Sequence, residues 1–396
     1  MIQNPFATNQ TKTSKPPATT KELSTPNIKE LRIQYMLQVT RHKNLILALI
    51  SLYFFVSSIV FIKESIVLMG QDRVRDFLSS INDTITGVFA GWFGTALLQS
   101  SGAFDSIIIA FVSVGVMQTY VAVATIIGAE VGTTVTTQLV SVFGYIRKER
   151  QRFQTSFLVA MLHYWYNFFA LVIFLTVELL FNVFTYIAQT GSLFFSKIPG
   201  ISAIPSIFNL ITPWVDVLLQ YVPAWIGLIG GVILLLISLK NSEKYLSAIF
   251  ASEVSKSLIR STFGSTPKAF LAGLIFTIIV PSTSVMISIL IPLVTTGIID
   301  TSYYILPYIL GANIGTVFDV MIAALATGNP AAIGVWLIHL TINIVGACIF
   351  LPLLKPFSAL VQSVNNFITF SKKRTIVFLI LSNGTPATIL ILGILL

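Results

Sequence analysis

From residue 45 to residue 62 the chain runs without a single charged side chain. A helix of that length just crosses a hydrocarbon core of ~30 Å, where the backbone must satisfy its own hydrogen bonds. Similar apolar runs recur along most of the 396 residues: 55% are hydrophobic and only 10% are charged. With a mean hydropathy of +0.87, the chain reads as an all-α polytopic membrane protein, not an ordinary soluble domain. Its net charge of +9 does not point to nucleic acid, because the Lys and Arg residues fall in loops, tails and segment ends. The expected surroundings are a lipid bilayer, with no nucleic acid partner. One cysteine, Cys348, leaves no disulfide framework and no Cys-based metal site.

Within the apolar sequence one pattern occurs twice. Gly94-Thr95-Ala96-Leu97-Leu98-Gln99-Ser100-Ser101-Gly102 is answered by Phe276-Thr277-Ile278-Ile279-Val280-Pro281-Ser282-Thr283-Ser284. In the same register Ala90, Gly91, Thr95, Ser100, Ser106 and Gly115 meet Ala272, Gly273, Thr277, Ser282, Ser288 and Gly297. Each copy is an apolar run broken at its centre by hydroxyls. Ser and Thr in a membrane can serve helix packing. Two clusters at matching places in two halves point instead to a transporter site between repeats.

The chain divides accordingly. Residues 1–43, polar and rich in Thr, Lys and Pro, read as a disordered cytoplasmic tail and not a signal peptide. A first transmembrane helix and loop fill 44–76. Repeat 1 covers 77–187: a re-entrant hairpin at 77–117, a broken helix at 119–145 and a helix at 153–187. A linker at 188–267 holds an interfacial segment, a transmembrane helix at 213–239 and a polar hinge. Repeat 2 covers 268–356, with a hairpin at 268–297, a broken helix at 303–326 and a helix at 331–354. An amphipathic segment and a last transmembrane helix complete 357–396. With the amino terminus inside and both hairpins returning to their own side, twenty of the 24 Lys and Arg lie inside and four outside, as the positive-inside rule requires. The hairpins then enter from opposite sides, which makes the repeats inverted. Two full crossings per hairpin would leave the count unchanged.

Three polar elements recur in order. The hydroxyl tips, Gln99, Ser100 and Ser101 against Ser282, Thr283 and Ser284, are the candidate substrate-binding residues. Gly128-Ala129-Glu130-Val131-Gly132-Thr133 is answered by Gly311-Ala312-Asn313-Ile314-Gly315-Thr316. Glycines four apart close-pack helices, and they also permit an unwound helix centre whose freed carbonyls bind a small cation. The acid Glu130 at membrane depth favours the second reading. Glu130, Thr133, Asn313 and Thr316 are therefore candidate cation ligands, joined by the intramembrane acids Asp105 and Asp319. His163 with Asn167, and His339 with Asn343, share a helix face at i, i+4 and are expected in supporting roles. Two His without a third ligand are weak grounds for a metal site. Asp83, Glu178 and Asp216 fall near segment ends, where solvation is the default.

No Lys or Arg stands near either hydroxyl cluster in the sequence. Hydroxyls and helix ends supply only partial charges, so an anion bound there needs co-bound cations to offset its desolvation.

At these residues the chain resembles the type II sodium-coupled phosphate cotransporter family. That family carries a Gln-Ser-Ser-Ser tip in each of two inverted repeats, then a Gly-Ala/Ser-Asn-Ile-Gly-Thr element, then a His…Asn helix. Gln99-Ser100-Ser101 matches three residues of the first tip, and Gly311-Ala312-Asn313-Ile314-Gly315-Thr316 matches the second-repeat element in full. Gly102 stands for the last Ser of the first tip, Pro281 for the second Gln, Thr283 for a Ser, and Glu130 for the usual Asn. The resemblance covers about residues 77–360. It implies that the tips bind inorganic phosphate, that the glycine elements and nearby hydroxyls bind sodium, and that transport is by elevator-like alternating access.

The expectation is thus a sodium-coupled phosphate symporter of the plasma membrane, amino terminus cytoplasmic, and not an enzyme. No cofactor is expected. The only metal is sodium as coupling ion, at the same cation-binding residues. A carrier of the same fold with another substrate or proton coupling, and a non-transporting scaffold or pore, remain as rivals. An intramembrane hydrolase is disfavoured because no nucleophile motif accompanies either His. The surface of Gly227, Gly230 and Gly231 fits either a homodimer contact or packing within the chain.

Overall fold

The computed structural model describes residues 28–143, 150–253, 261–296, 299 and 302–395. The first 27 residues of the expected tail, and 254–260 of the expected hinge, lie outside the described residues. Among the described residues there is no strand. The helices are α1 (Ile28–Met69), α2 (Gln71–Phe77), α3 (Thr84–Leu98), α4 (Ser101–Ser113), α5 (Thr119–Gly132), α6 (Thr134–Phe143), α7 (Arg150–Phe181), α8 (Val183–Ser196), α9 (Ile204–Ile211) and α10 (Pro213–Tyr221). They continue with α11 (Ala224–Glu253), α12 (Thr266–Ile279), α13 (Thr283–Thr295), α14 (Ile305–Thr327), α15 (Pro330–Phe350), α16 (Leu354–Ile368) and α17 (Lys372–Leu395).

Among the described residues seven helical spans are long and apolar enough to cross a membrane: α1, α5 with α6, α7, α11, α14, α15 and α17. They differ in what they face. In the most apolar window of α5–α6, 78% is buried within the protein, against 28% in α11 and 11% in α17. Exposed Ile229, Ile233 and Ile237 on α11, and Ile376 and Ile380 on α17, suit a lipid-facing position. Phe157, Met161, Leu162 and Tyr166 of α7 and Ile126 and Ile127 of α5 are buried in the main core.

Among the described residues four apolar helices are too short to span: α3, α4, α12 and α13, of 15, 13, 14 and 13 residues. At 1.5 Å per residue the longest is about 22 Å. Local chemistry sets their ends. Asp83 caps α3, its carboxylate accepting from the amides of Ile85 and Thr86. Partial burial opposes its charge, but these bonds outweigh that and hold its carboxyl below the usual range. Gln99 closes α3 in the left-handed region (φ 56°), and Ser100 caps α4 by accepting from Ala103 N at 3.3 Å. The second pair turns on Pro281, which disfavours helical angles at the residue before it. Val280 is accordingly extended, with φ −117° and ψ 92°. Ser282 then caps α13 by accepting from Val285 N at 3.4 Å.

Several boundaries differ from the sequence reading. The span expected at 153–187 stops at Asn182, which takes φ 50°. Glu178, expected to be solvated, is buried there. It accepts from Phe184 N at 2.8 Å, from Thr185 N and from the Thr185 hydroxyl, so it caps the start of α8. The span expected at 213–239 divides before Pro223, and α11 then runs on to Glu253, because Val232 to Glu253 contains neither Gly nor Pro.

Neither glycine element unwinds. Thr133, between α5 and α6, keeps helical angles (φ −56°, ψ −29°), and α14 is continuous through Gly311–Thr316. Close packing explains it. A Cβ on Gly128 would fall 1.9 Å from the Val88 carbonyl oxygen, and one on Gly311 would fall 2.0 Å from that of Phe270. From the other side, Gly91 and Gly273 press on the carbonyls of Thr125 and Tyr308. So α3 packs on α5, and α12 on α14, through matching glycines, the small-residue contact that membrane helices favour. Gly227 and Gly231 pack within the chain against Ser65 and Ile62 of α1.

Candidate functional site

The site residues lie within the unit Asn44–Leu396. Each hydroxyl tip reaches an element of the other half. Ser284 donates to the Thr133 carbonyl at 2.9 Å. Gly102 lies against Asp319 of α14, where a Cβ would fall 1.8 Å from Oδ2. The Ser expected by resemblance at 102 has no room, because the Asp319 carboxylate fills that volume. Asp319 Oδ1 accepts from Val320 N at 2.7 Å, while Oδ2 is buried without a hydrogen-bond partner.

The tips differ in exposure. Gln99 is exposed, Ser100 half-buried and Ser101 buried, whereas Ser282, Thr283 and Ser284 are all buried. Thr283 shares a short hydrogen bond with Thr316, and the two hydroxyls lie 3.3 and 3.1 Å from the Ala312 carbonyl oxygen, which accepts from whichever of them does not donate to the other. Thr133 donates to Ala129 O at 3.1 Å. The second tip, α14 and the end of α5 thus form one run of hydroxyl and carbonyl oxygens, ligands suited to a small hard cation.

Beside it lies a polar network spanning both halves. His339 Nε2 is 2.7 Å from Glu130 Oε1, and its Nδ1 is 3.2 Å from Asp105 Oδ2. Asn343 donates to Glu130 Oε1 at 3.3 Å and Asn313 to Oε2 at 3.4 Å. Asn313 also donates to Asn167 at 2.9 Å. Glu130, half-buried, therefore has protein partners on both oxygens, which offsets the desolvation of its carboxylate. The two His residues do not match: His339 sits between two carboxylates, while His163 Nδ1 is 3.3 Å from the Thr137 hydroxyl. Among the described residues no group of three or more His, Cys, Asp and Glu is arranged to hold a metal ion.

Two residues escaped the sequence reading. Glu243 of α11, half-buried, comes near Ser282 of the second tip, and Lys240 precedes it by one turn on the same helix. Both residues belong to a stretch that reads as polar hinge, and no repeat motif marks them. Their i, i+3 spacing of opposite charges on one helix face was the only available signal.

Residues 54–197 and 234–369 match the sequence model of the family described as Na+/Pi-cotransporter. The chain belongs to this family. Among the relatives of this Na+/Pi-cotransporter family chain is the sodium-dependent phosphate transport protein 2B of Homo sapiens, 25% identical over 80% of this chain and 59% of its own length. Protein 2A of Mus musculus is 24% identical over 78% of this chain and 60% of its own. The uncharacterized protein YqeW of Bacillus subtilis (strain 168) is 24% identical over 79% of this chain and 83% of its own. The chain thus spans about 60% of the length of the sodium-dependent phosphate transport proteins it matches. No solved structure matches it.

Proposed function

We propose that this chain is a secondary active transporter that carries inorganic phosphate into the cell with sodium, by alternating access between two inverted repeats in the plasma membrane. One observation carries the reading most: each hydroxyl tip reaches the other half, through Ser284 on Thr133 and Gly102 on Asp319. A site divided in this way changes its exposure when one half moves against the other. Family membership and the names of the relatives support sodium as the coupling ion and phosphate as the substrate.

In this reading Gln99, Ser100, Ser101, Ser282, Thr283 and Ser284 hold the anion. Thr133, Thr316 and the carbonyls beside them, with Asn313, hold sodium. Asp105, Glu130 and Asp319 add negative charge on the cation side. His163, Asn167, His339 and Asn343 fix these groups in place. The amino terminus is cytoplasmic, and the protein catalyses no covalent reaction.

The deciding measurement is uptake of radiolabelled phosphate by proteoliposomes under an imposed sodium gradient, with choline and pH-gradient controls. Accumulation that requires sodium is expected, with a large loss on Ser100→Ala plus Ser282→Ala. Uptake that follows only a pH gradient would overturn sodium coupling.

The second reading, a carrier of this fold for another solute, is favoured by Asp319 filling the volume beside Gly102. A buried carboxylate against one tip opposes a dianion. Under that reading the same vesicles take up no phosphate, and a less charged solute competes for the site.

A further inference from the structure

Helices α15 and α17 are long and apolar enough to cross a membrane, and α16 joins the end of one to the start of the other. With 15 residues, about 22 Å at 1.5 Å each, α16 is too short to cross. Its side chains fall into three sectors. Leu354, Phe357, Val361, Asn365 and Ile368 are buried, at the three- and four-residue spacing of one helix face. Lys355, Gln362 and Asn366 are exposed on a second face. Pro356, Leu360 and Phe367 are exposed on a third, so an apolar stripe stays uncovered by protein.

The buried sector is pinned. Asn365 donates to Gln154 O of α7 at 3.1 Å, and the Thr375 hydroxyl of α17 donates to Ile368 O at 3.1 Å. The other two sectors therefore have a set direction. A helix that leaves one polar and one apolar sector exposed, between the ends of two crossing helices, lies in the membrane interface with its apolar stripe among the acyl chains.

Where α16 passes into α17, a cation is mounted on that stripe. Arg374 Cζ lies 4.3 Å from the ring centre of Phe367 and 5.0 Å from that of Phe370, and both rings are 63% exposed. Stacking on aromatic faces holds a guanidinium in one plane. Among the described residues its one side-chain hydrogen bond is to Phe367 O, at 3.4 Å. A guanidinium has five N–H donors, so donors remain for a phosphate, which it can take through two parallel bonds. Lys373 is exposed beside it, and residues 320–396 contain no Asp or Glu.

We propose that Arg374, held by Phe367 and Phe370 and flanked by Lys373, is a docking site for the headgroup of an anionic phospholipid. Leu360 and the two rings sit among the acyl chains, and the guanidinium takes the lipid phosphate. A lipid is the occupant because the cation is fixed on an apolar stripe that continues from two crossing helices, and because no carboxylate of α16 or α17 offsets its charge. The site is independent of what the protein transports.

Fluorescence quenching of the full chain in lipid nanodiscs tests the site. Phe367→Trp adds a fluorophore on the stripe to the five native Trp and keeps a ring for Arg374. Lipids with brominated acyl chains quench Trp on contact. Quenching beyond that of wild type is expected with brominated phosphatidylcholine, and no excess overturns the placement of the stripe in lipid. Leu360→Trp reports the same stripe if Phe367→Trp fails to fold. Brominated phosphatidylglycerol, as a minor fraction in unbrominated phosphatidylcholine, is expected to quench with an apparent affinity about fivefold above that of brominated phosphatidylcholine at the same fraction, the worth of one basic side chain at the surface. Arg374→Gln with Lys373→Gln should bring the two lipids close to equal, and added salt should weaken the preference. Equal quenching by both lipids before these substitutions, or a preference that survives them, overturns the site. So does a preference lost in inorganic phosphate but kept in chloride of equal ionic strength, which assigns the guanidinium to a soluble anion.

Discussion

At the scale of single residues, Gly102 and Asp319 are the most informative pair. A side chain at 102 and the Asp319 carboxylate claim the same volume, since a Cβ would stand 1.8 Å from Oδ2. Gly102→Ser should therefore lower thermal stability in detergent by about 1–3 kcal/mol, the usual penalty for overpacking a filled interior. In the presence of Asp319→Ala the same substitution should cost much less, because the opposing carboxylate is gone. Contacting residues couple in this non-additive way. Equal losses in the two backgrounds would show that the positions do not meet. The pair also shows a limit of linear reading. The departure at Gly102 is visible in the sequence, but its partner lies more than two hundred residues away on α14, and nothing in either motif joins them.

At the scale of helices, the matching glycines set how closely α3 meets α5 and how closely α12 meets α14. Gly128→Ala and Gly311→Ala each drive a methyl group into a backbone carbonyl, which a rotamer change cannot relieve. Both should depress the unfolding temperature and the yield of folded protein. Gly384 is the control: no atom lies within 4 Å of a Cβ there, and it sits inside α17. Gly384→Ala should be neutral or stabilising by up to about 1 kcal/mol, the helix-propensity difference. A common response of all three would refute the packing role. Asp83 gives a second test. Asp83→Ala should cost about 0.5–2 kcal/mol at neutral pH, the range for loss of an N-cap. The folded-state pKa of Asp83 is lowered. Its contribution is therefore present above the ordinary aspartate range, about pH 4, and disappears as the pH falls through the lowered value. Wild type and variant should accordingly converge in acid, as read by thermal unfolding across pH. Much at this scale was legible in the sequence. The apolar runs, the short helices flanking each hydroxyl cluster and the paired glycines all mark real elements. The use of the glycines was not legible, because G-x-x-x-G serves close packing and unwinding alike, and only the Val88 and Phe270 carbonyls distinguish them.

At the scale of the whole molecule, the Glu130–His339–Asp105 network binds the halves together. Glu130 on α5 and Asp105 on α4 belong to the first half, while His339 and Asn343 on α15 and Asn313 on α14 belong to the second. The sequence marks each of these residues as polar at membrane depth. It does not reveal that His339 takes two carboxylates while His163 takes a hydroxyl, an asymmetry that arises only when the halves dock. A buried pair of this kind is costly to break from one side, at about 3–5 kcal/mol, since the remaining charge stays desolvated. His339→Ala and Glu130→Ala should therefore each strongly reduce stability and uptake. Glu130→Gln follows the pattern of the second half, where Asn313 stands in the matching motif position. It keeps an acceptor for Asn343 and for a His339 N–H, and should fold far better than Glu130→Ala. Combined with His339→Gln and Asp105→Asn it should restore part of the stability lost by either Ala variant, because none of the three positions then carries a charge. Thermal unfolding in detergent, read beside sodium-driven phosphate uptake, separates the two roles of the network. Restored stability with uptake still absent means that the charges act in transport beyond holding the halves together, whereas recovery of both means that the network is structural.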